Sequence, residues 1–102
     1  MNDVSAGVPN LTSVLRDKSL KGKNVQLSAA TKAALDVIAQ SVADGIVKKA
    51  DGNPRKMARL FHPMKSYLDV RLKKAPEVGQ KKAVAYLKAK IESILRQKAA
   101  GG

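Results

Sequence analysis

From Ala29 to Ala50 the chain contains no proline and is rich in alanine, and its larger apolar residues recur every three to four positions. Leu35, Ile38, Val42 and Ile46 fall on one face, flanked by Ala34, Ala39 and Val47. Lys32, Asp36, Gln40, Asp44 and Lys48 recur at every fourth position opposite. A repeat near 3.6 marks an amphipathic helix. At ~1.5 Å per residue it spans about 33 Å, so the rest of a short chain has to pack around it. Ser28 is placed to cap its start, because a serine oxygen accepts an orphan N–H of the first turn. Lys48-Lys49, then Gly52, Asn53 and Pro54, end it. Lys32–Asp36 and Asp44–Lys48 have the spacing of i,i+4 ion pairs, worth ~0.2–0.5 kcal/mol each. Gly45 costs up to ~1 kcal/mol against alanine, and its expected use is to let another backbone approach closely.

The flanking segments read as further helices. Residues 1–8, small and weakly polar, are expected to be a short flexible arm. Leu11, Val14 and Leu15 put one apolar stripe on a helix of about ten residues, with Asn10 as its cap. Residues 18–24 read as a basic loop. Asn53-Pro54 restarts a helix, with Asn as cap and Pro in the first position. Met57, Leu60, Phe61 and Met64 continue the spacing. His62-Pro63 predicts a break or kink, because the residue before proline is pushed away from the α region. The helix then resumes to Lys74 through Tyr67, Leu68 and Leu72. Phe61 and Tyr67 sit on apolar stripes and are expected in the core. Pro76 opens a last helix to about Lys98, whose seam is Val84, Leu87, Ile91 and Ile94. No alternating run of useful length occurs, so the chain is expected to be all-α. Its organisation is an arm at 1–8, a helical domain at 9–74, a basic helix at 75–98 and a tail at 99–102.

Charge narrows the partners. The chain carries 20 Lys and Arg against 8 Asp and Glu, a formal net charge of +12. Small domains need a net charge of only about 2–8 for solubility. The excess lies mainly in the second half. A field of this sign concentrates polyanions. Lys outnumbers Arg 15 to 5. Lysine is a flexible point charge suited to phosphates, whereas the Arg fork is the commonest reader of guanine edges. With only three aromatics, Phe61, Tyr67 and Tyr86, the rings that single-strand modules stack on are scarce. Double-stranded DNA is therefore the favoured partner.

Catalysis has little to work with. There is one histidine and no cysteine. None of the phosphate-loop, nucleophile-elbow, dinucleotide or paired-histidine metal motifs is present. His62 and Asp69 are separated by Pro63, and Ser28 and Thr31 read as cap and first-turn residues. Residues 51–53 lack the remaining ligands of a calcium loop. The expectation is no enzyme, no metal, no cofactor and no small-molecule substrate. No apolar run is long enough to span a bilayer. The basic last helix lacks Trp and Phe on its apolar side, which disfavours a membrane-surface role.

A short helix, a basic loop, a long helix, a second basic loop and a shorter helix follow the histone-fold order. The segment LTSVLRDKSLKGKNVQLSAATKAALDVIAQSVADGIVKKA resembles the first helix, first loop and central helix of archaeal and core histones. Val14-Leu15-Arg16-Asp17 resembles the end of their first helix. Val25 and Ser28 resemble the opening of the central one, and Ala43, Ile46 and Lys49-Ala50 its end. Arg55-Lys56 falls near the family's second-loop Arg-Lys, and the segment after Pro76 resembles the added C-terminal helix of some core histones. The resemblance covers about residues 9–60, with a looser match at 76–90. It departs from the family in lacking the Arg–Asp clamp at its usual spacing.

The resemblance implies a divergent, viral or bacterial, histone-like protein that binds and compacts duplex DNA without reading sequence. It would sit in a nucleoid, nucleus or virion. One DNA face would be Arg16, Lys18, Lys21, Lys23 and Asn24, joined by Ser28 and Lys32 at the start of the long helix. The other would be Arg55, Lys56 and Arg59, and the last helix would add Lys81 and Lys82. Two short helices cover too little of the long one. A handshake homodimer, or a heterodimer with another histone-like chain, is therefore expected around Leu35, Ile38, Val42, Ile46, Leu60 and Phe61, the alternative being a monomer whose C-terminal helix folds back over the exposed face. The alternative from another class is a small helical protein–protein module, a phage inhibitor or structural component, that docks through the 84–94 seam.

Overall fold

A computed structural model describes residues 11–16, 20, 26–75 and 77–101. The described residues form four helices and no strand: α1 (Leu11–Leu15), α2 (Ala29–Ala50), α3 (Pro54–Lys74) and α4 (Val78–Gly101). The arm at 1–8 and the basic loop residues Lys18, Lys21, Lys23 and Asn24 lie outside the described residues.

The ends of α2 follow from its sequence. Ser28 Oγ accepts the Thr31 N–H at 3.1 Å, which satisfies one orphan donor of the first turn. At the other end Asp51 N donates to the Lys48 carbonyl and Gly52 N to the Val47 carbonyl. This crossed pair is a Schellman stop. Asp51 itself is left-handed, at φ 54°, and Gly52 follows at φ 74°. An aspartate tolerates that region better than most side chains, and glycine carries the second left-handed residue without steric cost. Asn53 Oδ1 then accepts from Arg55 N at 3.0 Å and Lys56 N at 3.2 Å, and Pro54 occupies the first turn, where its missing N–H costs nothing.

The expected break at His62-Pro63 is absent: α3 is one helix of 21 residues, running through Pro63. It is therefore not shorter than α2 in any useful sense, since α2 has 22. Proline's ring removes the bond to the carbonyl four residues back. That carbonyl belongs to Arg59, and both Arg59 and Pro63 are exposed, so water can take the place of the lost donor. Packing of Met57, Phe61 and Leu68 on either side of the proline holds the two halves in line.

α4 is not an appendage. It lies mainly on α2 and also on α3, and it supplies Ala83, Val84, Leu87, Ile91, Ile94 and Leu95 to one continuous core. Ala99 and Ala100, expected in a tail, continue the helix. The short turns reverse the chain twice, so α2, α3 and α4 run down, up and down as a three-helix bundle. α1 adds Val14 and Leu15 at the end of the bundle where α2 begins. Gln80 Nε2 ties it down by donating to the Leu15 carbonyl at 2.9 Å.

The core face of α2 is turned from the expected one. Leu35, Ile38 and Ile46 are buried, but Val42 is only half-buried, while Ala39, Ala43 and Ala50 are fully covered. Alanines there let neighbouring helices come close, since interaxial distance follows the size of the contacting side chains. Phe61 is buried as expected. Leu60 is not: it is 38% exposed, because the row of α3 that faces the core is Met57, Phe61, Met64, Leu68 and Leu72. Tyr67 is also outside, 51% exposed rather than in the core.

The i,i+4 pairs expected along α2 give way to other bonds. Asp36 Oδ1 accepts from the Tyr86 hydroxyl at 2.7 Å and lies 4.0 Å from Lys90 Nζ, both on α4. Asp44 accepts from Gln40 at 2.8 Å. Gly45 meets no close backbone, with nothing within 4 Å of where its Cβ would stand. Gly45 therefore does not serve the close helix approach expected of it. Gly45→Ala should raise stability by up to ~1 kcal/mol, because it restores helix propensity without a clash. A lower urea midpoint in the variant would contradict this.

Candidate nucleic-acid interface

The bundle gathers the cations at its two ends. At the first end, the last turn of α2 brings Lys48 and Lys49, and the first turns of α3 bring Arg55, Lys56 and Arg59. All five are exposed. The C-terminal turns of α4 lie beside them. An open groove of about 200 Å³ there is lined by Pro54, Met57 and Phe61 from α3 and by Leu95, Arg96 and Ala99 from α4. Asp51 is the acid of the turn, and Glu92 also lines the groove.

At the second end are the exposed Arg16 and Lys32, with Lys73 and Lys74 closing α3 and Lys81 and Lys82 opening α4. Arg71 lies one turn inside. Its Nη1 donates to Tyr67 Oη at 3.1 Å, and its guanidinium carbon stands 5.6 Å from the centre of that ring. Lysines in the last turns of α2 and α3 also meet the negative ends of those helices, which accounts for part of their placement.

Between the ends, acids and cations are interspersed and largely paired. Lys88 Nζ bonds Asp69 Oδ1 at 2.6 Å, joining α4 to α3. The Lys88 ammonium holds the Asp69 carboxyl below its ordinary pKa. The Asp36 carboxylate raises the Tyr86 phenol above its own. Glu92 lies 3.9 Å from Arg96.

The expected site residues thus divide. Arg55, Lys56 and Arg59 come together, and so do Arg16, Lys32, Lys81 and Lys82, but the two groups lie at opposite ends of α2. Ser28 is engaged in the helix start, since its Oγ donates to Thr31 Oγ1 at 3.0 Å besides accepting from Thr31 N. Lys73, Lys74, Lys48 and Lys49 belong to the same clusters and were absent from the expected set. Their signal was the run of lysines at each helix end, which reads equally as a helix stop. Of the three rings, Phe61 is buried, Tyr86 is half-buried on Asp36, and Tyr67 alone is exposed. Single-strand binding commonly uses successive exposed rings, and one ring does not make that platform.

Among the described residues no helix is long and apolar enough to cross a membrane, and no group of three His, Cys, Asp or Glu is placed to hold a metal ion. Comparison of the chain with protein families, with curated proteins and with solved structures finds no match.

Proposed function

We propose that the protein binds double-stranded DNA through its phosphates, without reading base sequence. The observation that carries this reading is the clustering of exposed lysines and arginines at the bundle ends, away from the acids that occupy its middle. Such cations displace condensed counterions from the duplex, and that gain carries no sequence information. The reading does not lean on a histone handshake. Leu35, Ile38 and Ile46, on which a partner copy was expected, pack in one core with the Ala83–Leu95 seam of α4.

Fluorescence anisotropy with two unrelated short duplexes tests it. Both should bind alike, within about threefold, and affinity should fall with salt at a log–log slope of about −4 to −7, from ~0.9 per phosphate contacted. A flat salt response, strong preference for one duplex, or binding confined to single-stranded RNA would defeat the proposal.

A further inference from the structure

Resting on that reading, we infer that one molecule bridges two DNA duplexes, holding one at each end of the bundle. The inference comes from how charge is distributed along the axis. The α2–α3 turn presents Lys48, Lys49, Arg55, Lys56 and Arg59 against Asp51 alone. The opposite end presents Lys32, Lys73, Lys74 and Lys81 against Glu77 among the described residues. The belt between them holds Asp36, Asp44, Asp69 and Glu92 among Lys65, Arg71, Lys88, Lys90 and Arg96, so its charges nearly cancel, and Arg96 stands beside Glu92. Two of its three lysines are engaged there as well, Lys88 on Asp69 and Lys90 near Asp36.

Three physical consequences follow. On α2 the two clusters are represented by Lys32 and Lys48, about 24 Å apart at ~1.5 Å per residue. That exceeds the Debye length of ~10 Å at 0.1 M salt, so occupying one end does not repel a phosphate backbone from the other. The two clusters also lie at opposite ends of the bundle axis. A single straight duplex reaching both would have to lie along the side of the bundle, where much of the cationic charge is already paired with carboxylates. A separate duplex at each end meets cations and avoids the acids.

The test is capture of a fluorescent duplex on beads that carry a second, unrelated duplex, with the whole protein as the only link. Anisotropy on one duplex is measured in parallel, and sedimentation equilibrium reports the mass of the free protein. Two triple variants blunt one end each: Arg55→Gln with Lys56→Gln and Arg59→Gln, and Lys73→Gln with Lys74→Gln and Lys81→Gln. All six side chains are exposed, so circular dichroism should be unchanged.

The unsubstituted protein should be monomeric and capture the second duplex. Each triple variant should still bind a single duplex, weakened by no more than about tenfold, and should lose capture by more than that. The protein with all six substitutions should bind neither. Single-duplex binding without capture overturns the bridging inference and leaves the DNA reading standing. Capture that survives in both triple variants, or that follows a dimer population, also overturns it, because the link would then be a second copy. Failure to bind any duplex at low salt defeats the DNA reading itself, and bridging with it.

Discussion

Ile91→Asp should leave the protein without a cooperative thermal transition. Ile91 is fully buried at the middle of α4, in the seam that covers α2 and α3. Truncating such a residue to alanine typically costs about 2–5 kcal/mol. Aspartate adds the burial of a carboxylate with no partner, which costs several kcal/mol more or forces the helix off the core. A domain of this size has about 5–15 kcal/mol in all. Ser93→Asp, two residues on and exposed, is the control and should stay within ~0.5 kcal/mol. Circular dichroism melts of the two variants make the comparison. The result also separates two architectures. If α4 were a helix appended to a self-sufficient 9–74 unit, Ile91→Asp would release it and leave α1 to α3 melting as before.

Gly79→Val should be the second severe change. Gly79 is buried in the first turn of α4, and a Cβ there would overlap the carbonyl and Cα of Leu20. The obstacle is backbone, so no rotamer change relieves it. Overpacking of this kind costs about 1–3 kcal/mol even when the neighbour yields. If Leu20 is displaced instead, a side chain that is 1% exposed is returned to water, a further loss of about 1.5–3 kcal/mol. Gly79→Ala should already destabilise, in contrast to Gly45→Ala, although both glycines lie in helices and alanine is the better helix former at each. Urea unfolding of the two alanine variants reads the opposite signs directly. A Gly79→Ala variant as stable as the parent would show that this close approach does not exist.

The sequence by itself determined the helices, because their signals are local. The caps at Ser28 and Asn53, the Schellman stop after Ala50 and the 3–4 spacing of Leu35, Ile38 and Ile46 each depend on neighbours within one or two turns. It also determined that cations outnumber acids and that lysine prevails among them. Tertiary structure decided which faces meet. Val42 and Ala43 are adjacent in the chain, and only the position of α4 makes the alanine the more buried. Pro63 reads locally as a break, yet its helix continues because packing on both sides outweighs one missing hydrogen bond whose acceptor can face water. Leu60 and Tyr67 obey the apolar periodicity and still point outward, since a helix touching two neighbours covers only part of its girth. The grouping of the lysines was likewise beyond local reading. Arg55 and Lys81 look alike as exposed cations near a helix start, and only the reversal of the chain at each turn sets them at opposite ends, with the carboxylates of Asp36 and Asp69 between them.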